Sequence, residues 1–100
     1  MPNVRRVASR ELRRAFNDGR YYERVCSNEL LATVESEHRA PSEAGQPPGT
    51  MSQLVVYFDP ADLRHPVARV HQYLLPDGTL GGSGRPDPKG LFVGGEVWLC

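Results

Sequence analysis

The longest run of consecutive apolar residues in this 100-residue chain is only five residues long and covers residues 54–58. The run is rich in β-branched and aromatic side chains and stops at Asp59-Pro60, which is typical of a buried central strand. A membrane-spanning helix needs about twenty apolar residues, so no membrane partner is expected. A chain of this length buries enough surface for one modest core, and we predict a single domain over residues 1–100.

The first forty residues carry apolar side chains at helical spacing. Ser9 is a suitable N-cap, apolar residues follow at intervals of three and four, and Asn17-Asp18-Gly19 is a stop signal. From Tyr21 the same spacing continues to Arg39, just before a proline. The spacing therefore predicts a helical part over residues 1–40, with a short first helix and a second helix that ends near Arg39.

Residues 41–50 contain five Pro or Gly and no apolar periodicity, which predicts a mobile connection. Residues 51–100 have strand character, with alternation over residues 67–75, turn residues at 76–79 and a Gly94-Gly95 hairpin connection between two apolar runs. The sequence therefore predicts an α+β fold, in which two N-terminal helices pack on one face of a small antiparallel β-sheet of three to five strands.

The C-terminal strand, which contains Trp98, is a candidate edge strand, and a homo-oligomer formed through it is left open. Two cysteines, Cys26 and Cys100, are too few for a disulfide framework, and neither belongs to a CxxC pair. A structural zinc site is therefore not expected, and we also expect no other metal and no cofactor. The N-terminus has arginines where a secretory signal has an apolar stretch, so we expect a cytoplasmic protein.

The formal net charge of zero conceals an asymmetry along the chain. Residues 1–24 carry a net charge of +4, residues 25–50 carry −3, and the second half carries −1. Three arginines of the first predicted helix are candidate binding residues for an anionic partner: Arg10, Arg13 and Arg14. Pairing of these arginines with the glutamates of residues 25–50 is the alternative.

Residues 76–95 contain seven Gly and three Pro. A segment this rich in glycine is either a plain connector or a backbone that a ligand approaches closely. Two prolines restrict its centre, so that Arg85, Asp87 and Lys89 are presented to a ligand with little entropy left to lose. We treat these three as candidate binding residues, although the segment matches neither a phosphate-binding P-loop nor a calcium-binding β-roll repeat.

Alternation over residues 67–75 places Arg69, His71 and Tyr73 on one face of a strand. Histidine exchanges a proton near neutral pH, arginine binds phosphate, and tyrosine donates or accepts a hydrogen bond. These residues are candidate catalytic residues for metal-free RNA cleavage, with His71 as the acid/base. The alternative is a strand with one polar, solvated face.

The charged segments favour a small binding module for an anionic partner, with RNA first and an acidic protein surface second. The first alternative is a metal-independent ribonuclease, toxin-like or phage-encoded, and the second is a structural subunit of a larger assembly. Helices that precede an antiparallel sheet give an order of elements similar to that of several small bacterial RNA-cleaving toxins, an analogy of architecture alone. Whether the protein is an enzyme stays open at this point.

Overall fold

The computed structural model describes residues 3–100, which form two α-helices and six β-strands. In chain order the elements are β1 (Asn3–Arg6), α1 (Ser9–Asp18), α2 (Tyr21–Cys26), β2 (Leu31–Arg39), β3 (Met51–Asp59), β4 (Asp62–Leu74), β5 (Asp87–Val93) and β6 (Glu96–Leu99). The prediction of an α+β fold is therefore confirmed. Within this range neither helix has the length or the apolar content that a membrane crossing requires.

The sheet is larger than predicted and is mixed. Its strands lie in the order β1-β6-β5-β4-β3-β2, which makes six strands where three to five were predicted. Neighbouring strands are antiparallel except for β1, which runs parallel to β6. The two additional strands, β1 and β2, both come from the part of the chain that was predicted to be helical.

The core lies on one face of the sheet, where alternate residues of β3, β4 and β5 meet the apolar side of α1. Strand pairing sets Val55 opposite Val70, and Ala68 between Tyr57 and Leu91, so that these side chains share one face. Two residues of α1 complete the buried cluster, which consists of Leu12, Phe16, Val55, Tyr57, Ala68, Val70 and Leu91. The helical spacing in α1 and the alternation in the strands therefore bring apolar side chains into the same core.

The prediction of a second helix that ends near Arg39 is wrong. Helix α2 covers only Tyr21–Cys26, and residues 31–39 form β2. Asn28 adopts a left-handed conformation with φ of 67°, which ends the helical path. The chain then pairs antiparallel with β3 along its whole length. If residues 31–39 formed a helix instead, the backbone groups along this edge of the buried strand β3 would have no partner.

Other local predictions match the structure closely. The first predicted helix is α1, although Ser9 is its first helical residue and Ala8 occupies the N-cap without a side-chain hydrogen bond. The apolar run at 54–58 lies inside β3, and the hairpin connection falls at Gly94-Gly95, as predicted. Residues 41–50 connect β2 to β3 and include one short 3-10 turn, while their mobility stays a prediction.

Strand β6 is not an edge of the sheet, so the predicted use of the Trp98 strand as an edge is wrong. β1 pairs with β6 from Asn3 opposite Glu96 to Arg6 opposite Leu99. The contact continues past β1, where the backbone N–H of Val7 donates to the carbonyl of Leu99 at 2.8 Å. The N-terminal segment therefore covers the position at which pairing with a second copy was left open.

Candidate functional site

The glycine-rich loop folds back onto the end of β4. The backbone N–H of Gly81 donates to the carbonyl of Tyr73 at 2.9 Å, and Leu80 forms an isolated bridge with Leu74. Beyond His71, where the pairing of β4 with β5 stops, this loop takes the place of a neighbouring strand. The result is an open cleft, called the His71 cleft below, of about 480 Å³, whose lining includes His71, Tyr73, Ser83, Arg85, Asp87 and Lys89.

His71 is partly buried on the β4 side of this cleft. Its Nε2 lies 2.7 Å from Oγ of Ser52, and its ring meets Tyr73 edge to face with centroids 4.7 Å apart. Burial lowers the pKa of His71, and the nearby charges of Lys89 and His38 lower it further, while Asp87 opposes them. The imidazole is therefore neutral at neutral pH, the state in which it accepts a proton.

Asp87 binds two cations at the mouth of the cleft. Lys89 Nζ donates to its Oδ2 at 2.9 Å, and Arg13 Nη2 of α1 lies 3.5 Å from its Oδ1. Burial alone would raise the pKa of Asp87, but the hydrogen bond from Lys89 and the charges of Lys89 and Arg13 outweigh it and lower the pKa. One carboxylate thus serves two cations, which leaves an excess positive charge at this position.

Arg85 joins the loop to the helices. Its Nη1 pairs with Glu23 Oε2 at 2.7 Å, its Nη2 donates to Asn17 Oδ1 at 3.3 Å, and its guanidinium lies over the ring of Tyr22, 5.3 Å from the centroid. The hydrogen bond from Arg85 lowers the pKa of Glu23. These contacts hold the guanidinium beside the cleft and orient it.

The predicted catalytic residues divide between two places. His71 and Tyr73 line the cleft, but Arg69 is not part of its lining and its Nη2 pairs with Glu35 Oε2 of β2 at 3.0 Å. Arg69 lies opposite Gly90 of β5, two residues before His71 on β4, and is therefore farther from the loop. The structure therefore brings His71 and Tyr73 together in the cleft and does not bring Arg69 there, while a catalytic role for these residues stays a prediction.

The predicted binding residues divide as well. Arg85, Asp87 and Lys89 line the His71 cleft, and Arg13 reaches it through Asp87. Arg10 and Arg14 lie instead around a separate surface depression between Ala8 and Glu11. Helix α1 therefore contributes one of its three candidate arginines to the cleft.

Sequence reasoning missed His38 and Ser52. Strand pairing sets His38 opposite Ser52, and Ser52 opposite Tyr73, so that the three residues lie in one row across β2, β3 and β4. The assignment of residues 31–39 to a helix concealed this row. The β-branched pair Thr33-Val34 was the local signal for a strand.

A metal centre has no obvious location in the part of the chain that the structure describes. Over residues 3–100 no three His, Cys, Asp or Glu side chains come together in a group that could hold a metal ion.

No family model, curated protein or solved structure matches this chain. What the chain binds has therefore to be inferred from the cleft and its charges.

Proposed function

We propose that this chain is a small RNA-binding module whose binding surface is the His71 cleft. The observation that carries the proposal is the meeting of three cations from three separate elements at one concave surface, with Arg85 and Lys89 in its lining and Arg13 at its edge beside Asp87. Arg13 comes from α1, Arg85 from the glycine-rich loop and Lys89 from β5. Such an arrangement suits a backbone of regularly spaced phosphates.

The ion pairs in the cleft are weak enough to be exchanged for phosphate. The side chains of Arg13 and Asp87 are each about half exposed, and those of Arg85 and Glu23 are more than a third exposed. Exposed pairs of this kind contribute little to stability, because water screens both charges. A phosphate that offers several acceptor oxygens therefore competes well with the protein's own carboxylates.

Two features of the cleft favour a single-stranded RNA over an acidic protein surface. The ring of Tyr73 lies beside His71 in the cleft, and single-stranded RNA is commonly bound by stacking on such rings. The loop residues Gly82 and Gly84 have positive φ, and a Cβ at either position would meet no atom within 4 Å. The backbone there leaves room for an RNA strand to approach closely.

Affinity for a fluorescent RNA oligonucleotide, measured against salt concentration, tests this proposal. Neutralisation of three phosphates on a single strand gives a log–log slope of about −2. Arg85→Gln and Lys89→Gln should each make this slope shallower by roughly 0.7. Arg64→Gln is the matched control, because Arg64 is exposed on β4 at the far end from the loop.

Three outcomes would contradict RNA binding. One is an affinity that does not respond to salt, and another is an equal loss in the Arg64→Gln control. The third is binding of poly-glutamate as tightly as RNA, which would favour the acidic protein surface instead.

The surroundings of His71 favour a second candidate function, metal-independent RNA cleavage. When Nε2 of the neutral ring donates to Ser52 Oγ, Nδ1 is the proton acceptor. In this reaction the base removes the proton of a ribose 2′-hydroxyl as the 2′-oxygen attacks the adjacent phosphorus. The bond from phosphorus to the 5′-oxygen breaks, and the leaving oxygen takes up a proton. The products are a 2′,3′-cyclic phosphate and a 5′-hydroxyl end.

Incubation of the purified protein with RNA in EDTA at about pH 5 to 8 tests for cleavage. We expect cyclic phosphate ends with the native chain and their loss with His71→Ala. His65→Ala is the matched control, because His65 is exposed on β4 and pairs with Asp62 away from the cleft. The absence of cleavage across this pH range, or equal cleavage by the His71→Ala variant, would contradict this function.

A further inference from the structure

A second cavity lies on the other side of the glycine-rich loop from the His71 cleft. It has a volume of about 570 Å³, opens to solvent, and is bordered by α2, by strands β2 to β4 and by residues 78–80 and 84 of the loop. Its size falls in the range of about 300–1,000 Å³ that small-molecule sites occupy. The apolar part of its lining consists of Val25, Ala32, Val55, Leu74 and Leu80.

Aromatic and polar side chains also line the cavity. Tyr22 and Tyr57 bring two aromatic rings to its wall, and Gln72 brings a side-chain amide. Tyr57 is only 1% exposed, so its position is held by the core. An apolar cavity with a few fixed polar groups is the usual form of a ligand site.

The amide of Gln72 is fixed in one orientation by a chain of hydrogen bonds. Gln53 Nε2 donates to Glu37 Oε2 at 2.7 Å, and a carboxylate only accepts, so the nitrogen of Gln53 has to face Glu37. Gln53 Oε1 then faces Gln72 and accepts from its Nε2 at 2.9 Å. Among the described residues no side chain donates to Gln72 Oε1, which leaves that oxygen and the second amide hydrogen for a ligand.

We propose that this cavity binds a nucleobase, with Gln72 hydrogen bonding to the base edge and Tyr22 contacting its ring. A nucleobase presents a donor and an acceptor side by side, and glutamine makes paired hydrogen bonds to such an edge. Arg85 connects the two sites, because its guanidinium lies over the ring of Tyr22 while its side chain lines the His71 cleft. A base in the cavity and its phosphate beside Arg85 would thus belong to one nucleotide.

This inference rests on the proposed RNA binding for the class of its ligand. It adds to that surface a site that hydrogen bonds to the edge of one base. Phosphate contacts position a nucleic acid without reading its sequence, whereas hydrogen bonds to base edges give sequence preference. The cavity therefore predicts that the four mononucleotides bind with different affinities.

Isothermal titration with the four ribonucleoside 5′-monophosphates, and with ribose 5-phosphate as the base-free probe, tests the inference on the full chain. We expect at least one nucleotide to bind about tenfold or more tightly than ribose 5-phosphate. Gln72→Leu should remove most of this difference. Equal binding of all five probes would overturn the inference.

A second variant keeps the test decisive if Gln72→Leu disturbs the fold. Ala32 lines the cavity from the exposed edge strand β2, so Ala32→Leu fills the space without removing a contact. Thr33→Leu is its matched control, because the next residue in a strand points to the opposite face. We expect Ala32→Leu to abolish the preference for a nucleotide and Thr33→Leu to retain it, and equal effects of both would contradict the inference.

Failure of the inference and failure of the proposed function give different results. If RNA binds with the expected salt slope while Ala32→Leu has no effect on mononucleotides, the cavity inference is wrong and RNA binding stands. If a mononucleotide binds in the cavity but RNA binding does not respond to salt, the proposed RNA surface is wrong and the cavity is a site for a free nucleotide.

Discussion

The pKa of His71 is set by its burial and by side chains of β5, the neighbour of β4, and of β2, the neighbour of β3. Burial disfavours the imidazolium, Lys89 and His38 add like charge, and Asp87 favours the charged form, with the result that the pKa of His71 is lowered. The unfolded chain lacks these neighbours and binds a proton near the ordinary pKa of about 6.5. As the pH falls below this value the unfolded state binds more protons than the native state, which favours unfolding.

We therefore expect His71→Gln to reduce the dependence of stability on pH. A glutamine keeps a polar group beside Ser52 but has no proton to bind between about pH 7 and pH 5. The free energy of unfolding, measured by urea titration at several pH values, should fall less steeply in the variant than in the native chain. Parallel curves for the two chains would show that His71 is not held neutral by the fold.

At the scale of elements, the β5–β6 hairpin is the part of the fold most directly encoded by local sequence. Gly94 and Gly95 have φ values of 55° and 82°, the left-handed conformations that a two-residue turn of this type requires. The turn twist then matches the twist of the strands that it joins, and Leu91 is brought opposite Trp98. The two glycines thus place two residues of the core region.

Substitution of these glycines should destabilise the protein through the backbone alone, because a Cβ at either position meets no atom within 4 Å. We expect Gly95→Ala to lower the free energy of unfolding by about 1 to 2 kcal/mol. Gly94→Asn should cost less, since asparagine tolerates the left-handed conformation. Urea unfolding of both variants shows which one loses more free energy of unfolding. A larger loss for Gly94→Asn than for Gly95→Ala would contradict this account.

The elements that were predicted correctly from the sequence are those that nearby residues in the chain determine. Helix α1, strand β3 and the β5–β6 hairpin each carry their own capping, patterning or turn residues. Strand β1 carries no such signal, and β2 carries only the short β-branched pair Thr33-Val34. Asn3–Arg6 is a strand because β6 offers it an unpaired edge, and Leu31–Arg39 is a strand because β3 does. Such tertiary causes are not visible in a window of ten or fifteen residues.

The candidate site follows the same division. The chemistry of His71, Arg85 and Lys89 is evident from residue type and from the composition around them. Their common location is not, because it depends on the hydrogen bond from Gly81 to Tyr73 that folds the loop back onto β4. The position of Arg69 outside the His71 cleft depends in turn on its ion pair with Glu35, a residue that was expected on a helix.

At the scale of the whole molecule, the two strands from the N-terminal part of the chain enclose the four from its C-terminal part. Both outer strands carry features that oppose pairing with another sheet. β1 is only four residues long and contains Arg5 and Arg6, while β2 is exposed along its length and has an irregularity between Val34 and Ser36. The strand order therefore places the apolar β6 in the interior of the sheet.

Removal of residues 1–6 should expose the edge of β6 and cause self-association. Glu96–Leu99 would then present unpaired backbone groups beside the apolar side chains of Val97 and Leu99. We expect the truncated chain to increase in apparent mass with concentration in analytical ultracentrifugation, under conditions in which the full chain does not. Arg5→Ala combined with Arg6→Ala is the control, because it removes the charges and keeps the strand. If the truncated chain and this control behave alike, loss of charge and not loss of pairing governs association, and the protective role of β1 is wrong.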